Sequence, residues 1–337
     1  MEKILTIVIP TYNMQDYLRR CLDSLIVPEE QMKQLEVLVV NDGSKDNSSA
    51  IAHEYQDKYP GTFRVIDKEN GNYGSCVNRG LKEATGKYIK ILDADDWFDT
   101  IGFDLLIKDL DTIDVDLILT DYDVIDMAGN CENQRISFPK LNKHNVYDVD
   151  KSDVLSVISG FQMHSAVYSV DLLRKMNYKQ TEGISYTDQE WIYYPLYKAQ
   201  TIVYFDYVVY HYMVGRDGQT MDPKVLKKSI PHTLQGTKAM LSYYVLYNKN
   251  DLSAARCKYL AGKIEGRLLY LYRFCLLKSD SKTDLKLLEK LEKFVKQNSL
   301  EIYKKLQYAL VSKKCPIPYV FYWRIVHKRL PSIFREI

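Results

Sequence analysis

The chain has 337 residues, 46% of them hydrophobic and 27% charged, which is a globular composition at a length that allows two domains. No apolar run of about 18 residues occurs, so the sequence excludes a transmembrane helix. The net charge of +2 hides a division, because residues 223–337 hold 24 basic and 8 acidic residues while residues 1–222 hold 22 basic and 36 acidic ones. We therefore expect two domains, an acidic one over residues 1–222 and a basic one over residues 223–337.

The N-terminus and the cysteines both indicate the cellular compartment of the protein. Residues 1–3 lead directly into an apolar segment, so we expect no secretion signal. The six cysteines lack the CxxC spacing of zinc sites, and their scatter is typical of free thiols in a reducing environment. Together these features predict a cytoplasmic protein.

Apolar strands alternate with helices along the first hundred or so residues. The predicted strands cover residues 4–10, 35–40, 63–67, 88–92 and 117–120. Helices are predicted near residues 16–25 and 78–84. This alternation predicts βαβ units and a mainly parallel sheet, and therefore an α/β fold.

Polar side chains recur where the first four strands end. These are Thr11 and Asn13, then Asn41 and Asp42, then residues 70–75, then residues 93–96. Right-handed crossovers place the carboxyl ends of parallel strands at one edge of the sheet. Ligands of open α/β sheets bind outside those ends, so we expect one site built from four loops.

Three carboxylates follow the fourth strand within four residues: Asp93, Asp95 and Asp96. Like charges this close repel each other and raise each other's pKa, and a divalent cation relieves that repulsion. Clustered oxygen ligands suit Mg²⁺ or Mn²⁺. The residues alone favour this metal and diphosphate site no more than an acidic surface turn in which Asp96 caps the next helix.

Four motifs resemble the family 2 glycosyltransferases of the GT-A fold, in that family's order and spacing. They are Pro10-Thr11-Tyr12-Asn13, Val39-Val40-Asn41-Asp42-Gly43-Ser44, Asn78-Arg79-Gly80-Leu81 and Leu92-Asp93-Ala94-Asp95-Asp96-Trp97. The resemblance covers about the first 220 residues. It implies a Rossmann-like GT-A catalytic domain and an inverting transfer of a hexosyl group, usually from a UDP-sugar. Two positions depart from the family pattern, because Asn41 replaces a frequent Asp and Val77 replaces a frequent Arg.

The resemblance also implies roles for single residues. The implied donor-binding residues are Pro10, Thr11, Tyr12, Asn13, Asp42, Asn70, Asn78, Asp93, Ala94, Asp95 and Arg216. Of these, Thr11 and Asp42 would contact the uridine, and Asp93 would lie near the ribose. Asp95 and Asp96 would hold Mn²⁺ or Mg²⁺, which neutralises charge on the leaving UDP. Arg216 sits beside a glycine in a loop that suits a diphosphate clamp, although a surface salt bridge explains it equally well.

A second acidic cluster precedes an aromatic segment, which predicts a helix over residues 191–197. Asp188 matches one member of the family's acidic pair, and Thr187 stands where the other is usual. The resemblance implies that Asp188 is the general base that takes the proton of the acceptor hydroxyl, and we favour it over Glu190. We expect Glu190, Trp191 and His164 to contact the acceptor, although a lone His in an apolar segment is more often structural.

Beyond residue 223 the pattern becomes helical. The predicted helices cover residues 226–247, 252–277, 284–297 and 301–311. Along these helices, Lys-rich faces alternate with stripes of Leu and Tyr, and this pattern predicts a helical bundle. The excess of positive charge and the aromatic, basic tail at residues 319–329 favour contact with an anionic membrane on the inner face. A protein partner or self-association into a homo-oligomer is the competing interpretation, and no nucleic-acid-binding module is present.

The predicted function is transfer of a sugar from a UDP-sugar to a growing glycan, in a surface polysaccharide, a lipid-linked oligosaccharide or a glycoprotein. One alternative is a nucleotidyltransferase, but the segment Pro10-Thr11-Tyr12-Asn13 is not the Gly-rich phosphate loop that such enzymes use. The other is a nucleotide-sugar-binding module without catalysis, which the departures at Asn41 and Val77 leave open.

Overall fold

The computed structural model describes residues 2–129, 131–216, 219, 223–247 and 251–334. The chain divides into two compact units, Met1–Leu226 and Lys227–Ile337. The boundary expected from charge and helical pattern, after residue 222, lies four residues earlier.

The first unit is a sheet flanked by helices. Its strands are β1 (Leu5–Thr11), β2 (Leu35–Asn41), β3 (Phe63–Asp67), β4 (Tyr88–Ile91), β5 (Trp97–Phe98), β6 (Leu117–Ile125), β7 (Cys131–Ile136), β8 (Val146–Asp148), β9 (Ala166–Ser169) and β10 (Thr201–Met213). Its helices are α1 (Leu18–Asp23), α2 (Glu29–Gln34), α3 (Ser48–Lys58), α4 (Asn72–Glu83), α5 (Thr100–Thr112), α6 (Val154–Val157), α7 (Val170–Lys175) and α8 (Asp188–Trp191).

Among the described residues, these strands form one mixed sheet in the order β3–β2–β1–β4–β9–β6–β10–β5, with β7 beside β6 and β8 beside β10. The pairs β2–β3, β1–β2, β1–β4 and β6–β10 are parallel, and β9 runs antiparallel between β4 and β6. The mainly parallel α/β sheet predicted from the sequence is therefore confirmed. β1 and β2 are apolar and almost wholly buried, as strands covered on both faces must be.

Strand register brings the predicted loops together. Thr11 at the end of β1 pairs with Asn41 of β2, and Asn41 pairs with Asp67 of β3. On the other side of β1, Val8 pairs with Ile91, the last residue of β4. Because the four strands run in the same direction, the loops that follow them leave the sheet at one edge.

One predicted element is wrong in type. The helix expected over residues 191–197 does not continue, because α8 ends at Trp191 and Tyr194–Tyr197 forms a separate 3₁₀ turn. Pro195 in that turn has no backbone N–H and cannot donate an α-helical hydrogen bond.

Gly102 fixes how closely α5 packs on β10, and we expect Gly102→Ala to destabilise the first unit. A β-carbon built on Gly102 would lie 1.6 Å from the backbone oxygen of Val208. Because that atom belongs to the backbone, relief requires a shift of the helix, and we expect the free energy of unfolding to fall by about 3 kcal/mol. Denaturant unfolding followed by circular dichroism measures the change.

Gly262 in the second unit is the matched control, because it is also helical and a β-carbon added there would have no described atom within 4 Å beyond its own helix backbone and chain neighbours. We expect Gly262→Ala to raise the free energy of unfolding by about 0.5–1 kcal/mol through helix propensity. Equal stability of the Gly102→Ala protein and the wild type would contradict the close packing of α5 on β10.

The second unit is helical in its described residues. Its helices are α10 (Ile230–Leu246), α11 (Ala254–Arg273), α12 (Lys282–Asn298), α13 (Leu300–Leu306) and α14 (Tyr319–Val326), and α9 (Pro223–Lys228) lies across the boundary between the units. The Nε atom of Arg324 on α14 lies 2.6 Å from a carboxylate oxygen of Glu292 on α12, and its guanidinium carbon lies 3.7 Å from the ring centroid of Tyr303. Part of the basic charge therefore serves internal packing. Among the described residues, no helix combines the length and the apolar character needed to cross a bilayer.

Candidate active site

The loops after β1 to β4, together with α8 and the segment after β10, line one cavity of about 400 Å³. The predicted site residues in its wall are Pro10, Thr11, Tyr12, Asp42, Asn70, Asp93, Ala94, Asp95, His164, Asp188 and Arg216. The predicted site residues outside its wall are Asn13, Asn78, Asp96, Glu190 and Trp191. The tertiary structure therefore brings together residues that lie as much as 206 positions apart in the chain.

Asp42 is held at the end of β2 by donors from two neighbouring segments. It is 3% exposed, and its Oδ1 accepts hydrogen bonds from the Lys68 ammonium at 2.5 Å and the Gly71 backbone at 2.9 Å. Asn70 donates to the Asp42 backbone oxygen at 3.0 Å. Burial and the nearby charge of Asp42 raise the pKa of the Cys76 thiol to about 12. The carboxylate of Asp42 therefore lines the cavity on a loop that hydrogen bonds from Lys68, Asn70 and Gly71 hold in place.

Asn41 explains one departure from the family pattern. Its amide nitrogen donates to Asp67 Oδ1 at 2.6 Å, and its amide oxygen accepts from the Ser44 backbone at 3.1 Å. A second carboxylate at this position would face Asp67 without a donor and repel it. Asn41 therefore ties the Asp42 loop to β3. Asn13 has a similar local role, because its oxygen accepts from the Lys45 backbone at 2.7 Å.

The three clustered carboxylates have different surroundings. Asp93 accepts from the Tyr73 hydroxyl at 2.8 Å, and burial together with the charge of Asp95 raises its pKa to about 7. Asp96 is 1% exposed, and both of its oxygens are engaged, by the Tyr210 hydroxyl at 2.6 Å and the Met213 backbone at 2.8 Å. Burial and its carboxylate neighbours raise the pKa of Asp96 well above its usual range. Asp96 joins the β4–β5 turn to β10 and does not line the cavity.

Asp95 faces the cavity and is paired with Arg216. The guanidinium approaches Asp95 Oδ2 through Nη2 at 2.8 Å and Nε at 3.1 Å. Both side chains are largely buried, with 12% of Asp95 and 17% of Arg216 exposed. Arg20 supports the same turn from α1, donating to the Asp95 backbone oxygen at 2.9 Å while it lies over the Trp97 ring. The loop after β10 therefore places a cation directly on the carboxylate predicted to bind metal.

His164 lies among aromatic rings at the cavity wall. Its ring stacks on Tyr212 with centroids 4.3 Å apart, and the ring of Tyr210 lies 4.8 Å away. Burial, with the charge of Lys90, lowers the pKa of His164 to about 3, so its imidazole is neutral. One ligand atom each from Asp93, Asp96 and His164 lie within 4.8 Å of one another. Carboxylates and a neutral imidazole are both ligands of divalent metals, so the donors in this region fit a divalent cation.

Asp188 opens α8 and is half-buried in the cavity wall, where its Oδ2 accepts from the Gln189 amide at 2.9 Å. Hydrogen bonds and close packing hold the segment before Asp188 against α4. Asn78 exchanges two hydrogen bonds with the Gln180 backbone, at 2.9 and 2.8 Å, and a β-carbon on Gly74 would lie 2.2 Å from the Thr181 oxygen. Asn78, expected at the donor, therefore supports the Asp188 segment from outside the cavity.

Tyr186 holds a left-handed backbone conformation, with φ of 64°, two residues before Asp188. Bulky residues rarely adopt this conformation, and such strain is concentrated at functional sites.

Glu190 and Trp191 lie beneath the cavity wall, not at the acceptor face where the sequence placed them. Glu190 is 1% exposed and accepts from the Thr181 backbone at 2.7 Å and the Thr181 hydroxyl at 2.8 Å. Trp191 is fully buried and packs edge-on against Tyr168 and Tyr178. A turn of helix sends residues two and three positions after Asp188 in other directions, so both serve as support.

We expect Glu190→Gln to lower stability and to leave nucleotide binding intact. The amide that replaces one carboxylate oxygen cannot accept the hydrogen bond now made there by Thr181. Leaving a buried donor unpaired costs about 1–3 kcal/mol in the free energy of unfolding. Thermal unfolding and UDP binding, measured on the same preparation, check both parts. Unchanged stability with lost UDP binding would contradict this placement.

Several residues of the cavity wall were given no individual role from the sequence, although two of them, Asn72 and Tyr73, lie in the loop at residues 70–75 that was expected at the site. The full set is Met14, Asn72, Tyr73, Cys76, Met163, Ser185, Tyr186, Thr187, Tyr212 and Gln219. The positions of Tyr73 and Tyr212 at the cavity could have been predicted from the periodicity of the sequence. Tyr73 and Cys76 are one helical turn apart near the start of α4, and Tyr212 shares a face of β10 with Tyr210 because strand side chains alternate.

Known proteins resemble this chain in sequence. The model of Glycosyl transferase family 2 matches residues 6–175, just over half of the chain. The chain is 42% identical over 97 residues to the uncharacterized glycosyltransferase MG025 of Mycoplasma genitalium, covering 28% of this chain and 32% of that protein. It is 38% identical over 91 residues to the minor teichoic acid biosynthesis protein GgaB of Bacillus subtilis, covering 27% of this chain and 10% of that protein. The matched segments thus span a third or less of these relatives.

Solved structures resemble the chain in fold. The crystal structure of S. aureus TarS 1-349 in complex with UDP-GlcNAc has a TM-score of 0.65 and 17% identity, covering 89% of this chain and 82% of that chain. At this identity the likeness shows the fold alone. Together with the family match over residues 6–175, it confirms the GT-A fold and the resemblance expected from the four motifs. The chain therefore belongs to glycosyl transferase family 2.

Proposed function

We propose that this chain transfers a sugar, with inversion at its anomeric carbon, from a UDP-sugar to a hydroxyl of a growing glycan. The observation that carries the proposal is that Asp42, Asp95 and Asp188 line one cavity. The cavity then contains one carboxylate for each of three tasks: Asp42 for base recognition, Asp95 for diphosphate binding and Asp188 for proton removal. The UDP-GlcNAc bound in the TarS structure, which shares this fold, supports the uridine donor.

The uridine lies, on this proposal, against Thr11 and Asp42. A buried carboxylate accepts the N3–H of uracil and selects a base by its hydrogen-bonding pattern, which an apolar slot cannot do. Asp93 accepts from a ribose hydroxyl in addition to Tyr73. Arg216 lies in the cavity wall beside these groups, so its guanidinium reaches the diphosphate when it leaves Asp95.

A divalent cation, Mn²⁺ or Mg²⁺, is held by Asp95, with Asp93, Asp96 and His164 as the neighbouring oxygen and nitrogen donors. The pairing of Asp95 with the Arg216 cation, and the raised pKa values of Asp93 and Asp96, fit a region that favours added positive charge. The cation supplies charge neutralisation for the leaving UDP. The primary ligand in this proposal is Asp95, because Asp96 already accepts two hydrogen bonds from β10.

Asp188 is the general base. Its carboxylate takes the proton of the acceptor hydroxyl as that oxygen forms a bond to the anomeric carbon, while the bond from that carbon to the UDP oxygen breaks. The acceptor thus enters on the face opposite UDP, and the configuration inverts. The support for this role is that Asp188 is half-buried in the wall of the same cavity as the donor groups that follow β1 to β4.

A panel of UDP-sugars with Mn²⁺ tests the proposal, with UDP release followed by coupled assay in the absence and presence of glycan acceptors. We expect one UDP-sugar to release UDP in an EDTA-sensitive way and to do so faster with an acceptor. Release of pyrophosphate from a nucleoside triphosphate would favour a nucleotidyltransferase. Tight UDP-sugar binding with no release by any acceptor would favour a binding module. Because the relative GgaB is named as a minor teichoic acid biosynthesis protein, teichoic acids are the first acceptors to test.

The second unit, in this proposal, brings the enzyme to an anionic inner membrane surface where a lipid-linked acceptor lies. Phe321 and Ile325 project from one face of α14 with 46% and 63% of their surface exposed, and Ile333 beyond it is 68% exposed. Lys328, which lies between Ile325 and Ile333 in the chain, is also exposed. Aromatic and aliphatic side chains beside cations suit a headgroup boundary, where each basic residue adds about 1 kcal/mol.

We expect the full chain to float with vesicles that contain phosphatidylserine at low salt, and to be released at high salt because the Debye length shortens. Phe321→Ser with Ile325→Ser should weaken flotation, whereas Leu246→Ser, an 84% exposed side chain on α10, should not. A chain that ignores both anionic and neutral vesicles and runs as a defined oligomer would favour self-association instead.

A further inference from the structure

We propose that Lys68 is a positioning residue that makes the uridine site select uracil over cytosine, acting through the carboxylate of Asp42. The inference deepens the proposed function and rests on its assignment of Asp42 to the uracil. Lys68 directly follows β3, and Asp42 directly follows β2, so the parallel pairing of these strands brings the two side chains together.

The ammonium of Lys68 is fully engaged by the protein. It donates to Asp42 Oδ1 at 2.5 Å, to the Glu69 backbone oxygen at 2.5 Å and to the Ser75 hydroxyl at 2.9 Å. Three acceptors match its three N–H donors, so the ammonium has no donor to offer a ligand. Lys68 is also absent from the cavity wall. Any effect it has on nucleotide binding is therefore indirect, through Asp42 or through the segment of Glu69 and Ser75, and the double-mutant cycle below separates the two routes.

The carboxylate of Asp42 is oriented by this contact. Lys68 and the Gly71 backbone both donate to Oδ1, so neither of these bonds uses Oδ2, and the Cys76 thiol also interacts with this carboxylate. The Asp42 side chain is 4% exposed and lines the cavity. The ammonium of Lys68 is the cation that lies directly on this buried carboxylate. Lys68 and Gly71 thus fix the orientation of the carboxylate through Oδ1 and leave Oδ2 as the oxygen that can accept from a base.

Uracil and cytosine differ at N3, and this difference allows the Asp42 carboxylate to select between them. Uracil carries a hydrogen on N3 and donates to a charged carboxylate. Cytosine has a lone pair on N3 and meets the same oxygen as a second acceptor, which repels it. If Asp42 loses Lys68, its carboxylate is no longer held in this orientation, so UDP loses a hydrogen bond at N3 whereas CDP, which makes none there, does not. Lys68 therefore determines which pyrimidine the site favours, although it touches neither.

The experiment measures the dissociation constants of UDP and CDP by titration calorimetry in Mg²⁺ for the full chain and its variants. We expect Lys68→Met to weaken UDP binding by about 10-fold to 100-fold, because a hydrogen bond to a charged group is worth about 1.5–3 kcal/mol. CDP binding should stay constant or strengthen, so the preference for UDP falls. Lys68→Arg, which keeps the charge, should restore the preference. Lys82→Met, an exposed lysine of α4, should behave as the wild type.

A double-mutant cycle with Asp42→Asn separates this role from a structural one. In the Asp42→Asn background, Lys68→Met should leave the UDP to CDP ratio unchanged, because no carboxylate remains for Lys68 to orient. If Lys68→Met alone does not fold, the double variant removes the uncompensated charge and should fold and bind as Asp42→Asn does.

Three results would overturn the inference. Equal weakening of UDP and CDP by Lys68→Met, or an unchanged preference for UDP, rejects the role of Lys68 while the uridine site stands. A further change in the ratio on adding Lys68→Met to Asp42→Asn rejects action through the carboxylate. A wild-type chain that binds UDP and CDP equally rejects the uridine assignment and the role of Lys68 together.

Discussion

Asp188→Asn is expected to bind a UDP-sugar with wild-type affinity and to transfer the sugar about 10²-fold more slowly or worse. The amide has nearly the shape of the carboxylate and can keep a contact with Gln189, so the opening turn of α8 should survive. It cannot take the proton of the acceptor hydroxyl. Calorimetry measures donor binding, and the rate of UDP release with acceptor present measures transfer.

Glu190→Gln is the matched control, because it makes the same chemical change two residues along the same turn. We expect it to lose stability and to keep most of its rate of transfer, since Glu190 is buried against Thr181. An active Asp188→Asn protein beside an inactive but folded Glu190→Gln protein would move the role of base to Glu190.

Asp95→Ala is expected to abolish metal-dependent UDP binding and to reduce transfer by about 10³-fold, because charge stabilisation by a metal amounts to several kcal/mol. The fold should survive, since the Asp95 side chain contacts a loop residue, Arg216, at the cavity wall. UDP titrations with and without Mn²⁺, and transfer assays with and without EDTA, measure the two effects.

Asp114→Asn is the control for a general loss of negative charge, because its carboxylate is 93% exposed and lines no part of the cavity. We expect it to bind UDP and transfer sugar as the wild type does. Full activity of the Asp95→Ala protein, or full activity of the wild type in excess EDTA, would reject the metal assignment.

The fold was largely predictable because its first strands are continuous apolar runs in the sequence. Residues 63–67 were predicted as a strand and form β3 with the same bounds, and β1 and β2 differ from prediction by a residue at each affected end. Long apolar runs leave little doubt about burial on both faces, and burial on both faces implies parallel strands. The segment at residues 191–197 failed because aromatic side chains suit several local structures and Pro195 interrupts a helix.

The cavity wall was predictable where it follows strand ends. Asp42, Asp93 and Asp95 directly follow or nearly follow predicted strands, and parallel strands place such residues at one edge. Residues at helix starts were harder. Asp188 faces the cavity while Glu190 and Trp191 turn into the core, because a rotation of about 100° per residue separates the directions of neighbours.

The sequence by itself determined the alternating α/β order, the buried parallel strands and the loops that must share an edge of the sheet, since each depends on local periodicity and chain direction. Only the tertiary structure decided how the charges pair. Arg216 meets Asp95, Lys68 meets Asp42, and Asp96 turns to Tyr210 on β10. These partners lie 26 to 121 residues apart in the chain, and hydrogen bonds depend on distances of tenths of an ångström. No periodic pattern encodes such distances, so the division of labour among the carboxylates appears only when the sheet has formed.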